Sequence, residues 1–303
     1  MVERSSMKTK KKICNEDRIY YTVSGIIITL ILLSVLYPII YVISASFSSG
    51  QAILSGRVIL WPVDFCLDGY EAVFAHKDIV PSYANSIFYT VVGTLINLCM
   101  TMIAAYPLAR KDLPGRGYIT FFFTVTMFIS GGMIPNYLVV KNLHMLNTRW
   151  ALLIPGAIST YNMFVVKNFI QSSIPGELLE ASQIDGCSDT NYFFRIVLPL
   201  SKASIAVVAL YYAVGHWNSY FNALMYLNDR SKIPLQLVLR EILVNNQVSA
   251  DMIMDPELYQ QRQNVAQLLK YSLIVVSSVP IICIYPFVQK HFVKGVMVGS
   301  VKG

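Results

Sequence analysis

The chain has 303 residues, of which 55% are hydrophobic and 14% are charged, and its mean hydropathy is +0.52. A soluble domain would carry about 25% charged residues, so this composition excludes an ordinary soluble enzyme and predicts a protein embedded in a membrane. We expect the net charge of +7 to orient the chain in the membrane, with no nucleic-acid partner. Five cysteines without metal-ligand spacing predict neither disulfides nor a metal site: Cys14, Cys66, Cys99, Cys187 and Cys283.

Six segments are long and apolar enough to span a bilayer, which takes about 20 residues each. They are roughly 19–46, 85–109, 118–137, 150–166, 203–227 and 265–288. Hydrocarbon offers no hydrogen-bond partner to an open backbone, so each span must be helical. The predicted fold class is therefore all-α, a polytopic membrane protein with six transmembrane helices. The fourth segment is short, which leaves room for tilt or a shift of its ends. Four prolines predict bends: Pro38, Pro107, Pro155 and Pro280.

The distribution of Lys and Arg predicts the orientation of these spans. One side collects fifteen basic residues from the N-terminal 18 residues, the turn 110–116, the loop between spans four and five, and the C-terminal tail, against eight on the other side. Basic segments stay on the cytoplasmic side. We therefore expect a multi-pass protein of the bacterial cytoplasmic (inner) membrane, with both termini inside. The first apolar run is too long for a cleaved signal peptide, and we expect it to be retained.

The spans lack the residues that membrane chemistry requires. They contain His216 and Lys270 but no Asp or Glu, and the chain has no GxxxxGK[ST] phosphate-binding loop. A secondary transporter would show intramembrane carboxylates or an internal repeat. A polytopic membrane enzyme, such as a glycan or lipid transferase, would show clustered acidic or His residues at the membrane face. We predict no catalytic residue and no cofactor, so any driving energy must come from another subunit.

Residues 130–137 combine glycines with a proline and predict a break near the outer end of span three. The loop between spans four and five then reads as a helix, a break and a second helix. Ser172 or Ser173 could cap the first helix, and Gly186 fits the left-handed position that stops it. Ser188, Asp189 or Thr190 could cap the second helix, which we expect Pro199 to end.

The order of residues in this loop resembles the EAA loop of ABC importer permeases, in their carbohydrate-uptake branch. The matching residues are Glu180, Ala181, Ser182, Asp185, Gly186, Ile196, Leu198, Pro199 and Leu200. Ser182 departs from the family, which has Ala there. Weaker matches in the same order extend the resemblance from about residue 20 to the end: Asn85-Ser86, residues 105–110, Trp217-Asn218, 289–295 and 299–303. The block 130–137 and the long outer segment 228–264 look closer to permeases for complex oligosaccharides or polysaccharide fragments.

The resemblance implies a type I ABC importer permease fold and a transport role without catalysis. The partners would be a second homologous permease, two nucleotide-binding ATPase subunits, an extracytoplasmic solute-binding protein, membrane lipid and the sugar. The chain would divide into a basic tail (1–18), a permease domain (19–288) with the coupling loop 170–202, and a cytoplasmic tail (289–303). ATPase coupling would fall to Glu177, Glu180, Ala181, Ser182, Asp185, Gly186, Ile196, Leu198 and Pro199. Tail contacts to the ATPases would fall to Gly299, Ser300, Lys302 and Gly303.

A path for sugars needs aromatic platforms and amide or hydroxyl partners, and the fifth span offers both. The candidates are Tyr212, His216, Trp217, Asn218 and Asn222. The same aromatic residues could instead anchor the span at the membrane interface, and His216 could simply be packed. Acidic residues in the outer segments 47–84 and 228–264 could face the binding protein or be only solvated.

Overall fold

The computed structural model describes residues 15–248 and 256–300, which are mostly helical and form no β-structure beyond a single bridge between Ser48 and Phe65. The helices are α1 (Asn15–Ser46), α2 (Gly50–Leu54), α3 (Asp68–Ala75), α4 (Ile79–Ala109), α5 (Arg116–Phe128), α6 (Met133–Asn142), α7 (Trp150–Leu153), α8 (Thr160–Ser173), α9 (Gly176–Ile184), α10 (Asp189–Tyr192), α11 (Leu198–Leu200), α12 (Lys202–Trp217), α13 (Phe221–Tyr226), α14 (Leu235–Val248) and α15 (Pro256–Ser300). A π-helical turn (Phe193–Val197) joins α10 to α11, and a 3₁₀ turn (Arg230–Lys232) precedes α14.

Within the described residues, three continuous helical stretches are long and apolar enough to cross a membrane: Ile19–Ser46, Ile79–Ala109 and Gln263–Ile284. Two bent pairs raise the number to five if each pair is one span. One pair is α5 with α6, bent by 116°, and the other is the helical stretch Asp189–Leu200 with α12, bent by 77°. The predicted break in span three is thus confirmed, at residues 129–132.

The fourth predicted span is not a continuous helix over 150–166. The chain leaves the helix after α7, runs through residues 154–159, and resumes with the 14 residues of α8. At 1.5 Å per residue, α8 is about 21 Å long, shorter than the ~30 Å hydrocarbon core. Pro155 lies in the break, where its fixed φ and missing N–H do not favour continuation of a helix.

The last two predicted spans also have different ends. The fifth was expected over 203–227, but α12 stops at Trp217 and the short α13 follows. The sixth was expected over 265–288, whereas α15 runs from Pro256 to Ser300 and takes in most of the predicted tail. The tail residues Lys302 and Gly303, and residues 1–14 of the predicted basic tail, lie outside the described residues.

Helix α4 is the centre of the bundle, because it packs against both α8 and α12, and α12 packs in turn against α15. Two apolar cores lie along it. The core at the end carrying residues 176–200, hereafter the loop end, includes Met102, Leu108, Met163, Val166 and Val208. The core at the opposite end, hereafter the far end, includes Ile79, Leu153, Leu235, Leu237 and Leu273. Most side chains of α1 are exposed and apolar, which suits contact with lipid or another protein.

Candidate functional site: a helix–glycine–helix loop and two helix breaks

The first helix of the loop, α9, is closed by Gly186. This glycine has φ +71°, in the left-handed region that only glycine adopts freely. The Gly186 N–H donates to the Gln183 carbonyl at 3.0 Å, and the Cys187 N–H donates to the Ser182 carbonyl at 2.9 Å. These two bonds are the Schellman pattern. Gly186 therefore stops the helix as predicted. The predicted serine cap is wrong, because Pro175 occupies the N-cap position and the Ser172 hydroxyl bonds to Phe169 instead.

The second half of the loop begins with a serine cap. The Ser188 side chain accepts the N–H of Asn191 at 3.3 Å, so one of the predicted caps is confirmed. Pro199 does not end this helix. The backbone widens into the π-helical turn just before it, continues through α11, and turns only at Ser201. In a regular α-helix the Pro199 ring would meet the carbonyl of Arg195, and the wider turn removes that conflict.

The loop is fixed to the end of α4. Arg110 donates hydrogen bonds to Asp189 in the loop, to Asp112 at the start of the next turn, and to the Tyr106 hydroxyl. The guanidinium lowers the pKa of the Asp112 carboxyl. The Tyr106 ring packs on Phe193 with centroids 5.0 Å apart. These contacts fix the loop to the end of α4.

The residues assigned to coupling divide into an inner and an outer set. In the inner set, Ser182 is buried in the chain's own core and Ile196 and Leu198 are partly buried. Val197, which lies between the last two in the sequence, is also buried. The outer set is exposed: Glu177, Glu180, Ala181, Asp185, Gly186 and Pro199. Helix α9 also turns Leu178 and Ile184 outward, the latter 87% exposed. The loop thus presents an apolar and acidic surface that nothing in the described chain covers.

The candidate pathway residues are not gathered on one open face. Tyr212 is buried, with its hydroxyl 2.7 Å from Thr101 Oγ1. Trp217 is buried and donates its indole N–H to the Ser277 carbonyl at 2.9 Å. His216 Nε2 lies 2.6 Å from Asn97 Oδ1. Asn218 and Asn222 are exposed. In this conformation only the two asparagines are exposed, and His216 is half-buried.

The same polar groups support the break between α7 and α8. Asn97 donates its amide to the Gly156 carbonyl at 2.6 Å. The N–H of Ser159 donates to the Tyr212 hydroxyl at 3.0 Å. Two backbone groups released by the break are thereby satisfied, as they must be at membrane depth. The sequence reading missed Asn97 and Thr101, although their spacing of four residues puts two polar side chains on one face of an apolar helix.

At the far end, the Asn85-Ser86 pair has a structural task. Asn85 donates to the Ser231 and Ile233 carbonyls at 2.8 and 3.2 Å. The Leu235 N–H donates to the Ser86 hydroxyl at 2.8 Å. One turn further along α4, Tyr89 donates to the Lys232 carbonyl at 2.7 Å. These contacts hold the segment between α13 and α14 against α4.

These features define a class of protein: a helical membrane subunit with a stiff, exposed loop at one end. Among residues 15–248 and 256–300, no cluster of three or more His, Cys, Asp or Glu side chains could hold a metal ion. The chain belongs to the family of binding-protein-dependent transport system inner membrane components, whose model matches residues 97–298. It is a permease of the ABC transport systems.

Two curated relatives come from Bacillus subtilis (strain 168). The polygalacturonan/rhamnogalacturonan transport system permease protein YtcP is 44% identical over 280 residues, covering 92% of this chain and 96% of the relative. Protein LplC is 44% identical over 266 residues, covering 88% and 89%. A solved structure of a bacterial ABC transporter involved in import of the acidic polysaccharide alginate contains a chain that matches with a TM-score of 0.83 at 35% identity, covering 92% and 98%. The predicted permease fold is confirmed, and the names of YtcP and of the alginate importer both refer to polysaccharides.

Proposed function

We propose that this chain is one of two homologous permeases in an ATP-driven importer for oligosaccharides released from polysaccharides. The observation that supports the proposal best is the loop over residues 176–200, which is anchored to α4 by Arg110 and leaves an apolar and acidic surface free on α9. Two nucleotide-binding ATPase subunits would supply the energy, and an extracytoplasmic solute-binding protein would deliver the sugar. This assignment accords with the family's dependence on binding proteins and with the polysaccharide systems of its relatives.

In this proposal the loop end faces the cytoplasm. The turn 110–116 carries Arg110, Lys111 and Arg116 at that end, and basic loops stay inside. Both termini then lie inside, with tails 1–18 and 289–303 flanking a permease domain of residues 19–288. Gly299 and Ser300, at the end of α15, would meet the ATPases together with Lys302 and Gly303.

Coupling would work by rigid-body motion. Glu177 and Glu180 would face basic groups on the ATPase, a charge-assisted contact, while Ala181 and Ile184 would enter its groove. Gly186 fixes the angle between the two helices of the loop. Closure of the ATPases would then move the loop, and Arg110 would carry that motion to α4, switching the pathway between inward-open and outward-open states.

The test compares uptake with ATP hydrolysis in the assembled complex. We expect Glu180→Lys and Gly186→Leu to lower sugar uptake at least tenfold while ATP hydrolysis continues and the chain stays in the membrane. Gly117→Leu is the control, because Gly117 has no positive φ and open space around it. Normal uptake in both loop variants would contradict the coupling role.

A further inference from the structure

Two helix breaks meet at one place in the bundle. The Thr126 hydroxyl, just before the break between α5 and α6, lies 3.1 Å from the hydroxyl of Thr160, just after the break at 154–159. About 15 Å of α5 separates Thr126 from the loop-end turn, and about 20 Å of α8 separates Thr160 from the loop end of that helix. With the loop-end turn at the membrane surface, both hydroxyls lie inside a hydrocarbon layer ~30 Å thick.

The break at 154–159 leaves backbone polar groups open at this depth. Within the described residues, the Pro155 carbonyl and the Gly156 N–H make no hydrogen bond, and both residues are exposed on the surface of the chain. An unpaired backbone group facing lipid costs several kcal/mol, so irregular backbone survives at membrane depth only where protein or a water-filled cavity covers it. The exposed face of the break at 154–159 must therefore contact either another protein chain or a water-filled cavity.

The open groups are held in place from behind. Asn97 and Thr101 have no exposed surface, and they bind the Gly156 carbonyl and the Tyr212 hydroxyl respectively. Because Asn97 uses its NH₂ group on Gly156, its Oδ1 accepts the Nε2–H of His216. The break is thus a fixed arrangement, with its supporting side chains turned inward and its free backbone groups turned outward.

We propose that the segment 154–160, together with Thr126, is a sugar-contact surface in the transport pathway. The proposal rests on the importer function proposed above. This surface offers the Pro155 carbonyl as an acceptor, the Gly156 N–H as a donor, and the hydroxyls of Thr126 and Thr160, and its residues carry no charge. That set matches the hydroxyl groups of a carbohydrate, while exposed Ile154 and Ile129 suit its apolar ring faces. Tyr212 and His216 then act behind the surface as positioning residues.

The test is thiol labelling of Gly156→Cys in the assembled complex in cells, with all five native cysteines replaced by serine. A Cβ at Gly156 meets nothing within 4 Å, so the variant fits the fold. We expect a membrane-impermeant thiol reagent to modify it. An oligogalacturonate or a neutral galacto-oligosaccharide, whichever the unsubstituted complex takes up, should slow the modification at least tenfold. Gly25→Cys on α1, also in open space, is the control and should not react.

Thr126→Val adds a second readout. It removes one hydroxyl at constant volume and should lower the uptake rate severalfold. Its control is Thr124→Val on the same helix, because among the described residues the Thr124 hydroxyl bonds only to the carbonyl of Thr120.

Absence of labelling at position 156, or labelling unaffected by a transported sugar, overturns the contact and assigns this face to lipid or the partner permease. Failure of the unsubstituted complex to import either sugar would instead contradict the proposed function, and the sugar contact with it. The two failures are separable, because uptake by the unsubstituted complex is measured first.

Discussion

Gly93 on α4 is a sensitive position, because a side chain there would meet the His216 ring on α12. In Gly93→Ala the new methyl would lie 2.6 Å from Cε1 and 2.8 Å from Cδ2 of His216, and closer still to Nε2. Ordinary contact begins near 3.4 Å, so the ring must move by about 1 Å and lose its 2.6 Å bond to Asn97. Overpacking costs about 1–3 kcal/mol and an interhelical hydrogen bond in a membrane about 0.6–1.7 kcal/mol. Alanine favours the helix over glycine by about 0.5–1 kcal/mol, which offsets part of this loss.

The net expectation for Gly93→Ala is a loss of about 1–4 kcal/mol of stability. The assay is thermal unfolding of the purified complex in detergent, following the fraction of this chain that remains soluble. Gly215→Ala is the matched control on α12, because its methyl meets nothing within 4 Å, and it should be neutral or slightly stabilising. Since the cost arises from the His216 ring, it should nearly vanish in a His216→Ala background. A melting temperature unchanged by Gly93→Ala would refute the reasoning.

Two further predictions concern the far end. Asn85→Ala removes the amide that pairs with the Ser231 and Ile233 carbonyls. Leaving the carbonyl of buried Ile233 unpaired costs about 1–3 kcal/mol, so proteolysis of the 228–234 segment should rise at least fivefold. Exposed Asn222→Ala should change nothing, and equal cleavage of both variants would contradict this. Lys232, followed by Ser231, lowers the pKa of Asp229 from its ordinary 3.8 to about 2. A carboxyl whose pKa is lower in the folded state stabilises the fold at pH values above its unfolded pKa. That stabilisation is lost as the pH falls through the folded pKa. Resistance of the segment to proteolysis should therefore be flat from about pH 5 to 8 and fall below about pH 4. Asp229→Asn should abolish that dependence, and a pH response that persists in this variant would assign it to other groups.

The sequence predicted helices well, because lipid forces backbone groups to pair within their own segment. It predicted one break and missed the extent of the other. Residues 130–137 contain two glycines before a proline, which is a local signal. The break at 154–159 contains Pro155, which in a span reads equally well as a bend. Its persistence depends on Asn97 and Tyr212, each more than fifty residues away. No local pattern contains that information.

The coupling loop shows the same division. The stop at Gly186 and the cap at Ser188 follow from backbone geometry within a few residues, and both were predictable. The fate of Pro199 was not, because its conflict with the preceding turn has two solutions. A helix can end before a proline, or it can widen by one residue and continue. Burial of Tyr192 and Val197 against α4 and α8 favours the second solution, since a helix that continues stays in contact with the core.

Residue chemistry alone predicts that polar side chains in the fifth span are sugar partners, and the structure suggests a different criterion. An unpaired polar group in hydrocarbon is costly, so side chains such as Tyr212, His216 and Trp217 find partners within their own chain and are then unavailable to a ligand. The groups left open are those whose partners the fold does not supply, here the backbone at Pro155 and Gly156. In a membrane helix bundle, then, unsatisfied exposed groups point to the pathway more directly than residue type does. Asn97 links the paired side chains of the fifth span to the open backbone of the break, because its amide group binds both His216 and the Gly156 carbonyl.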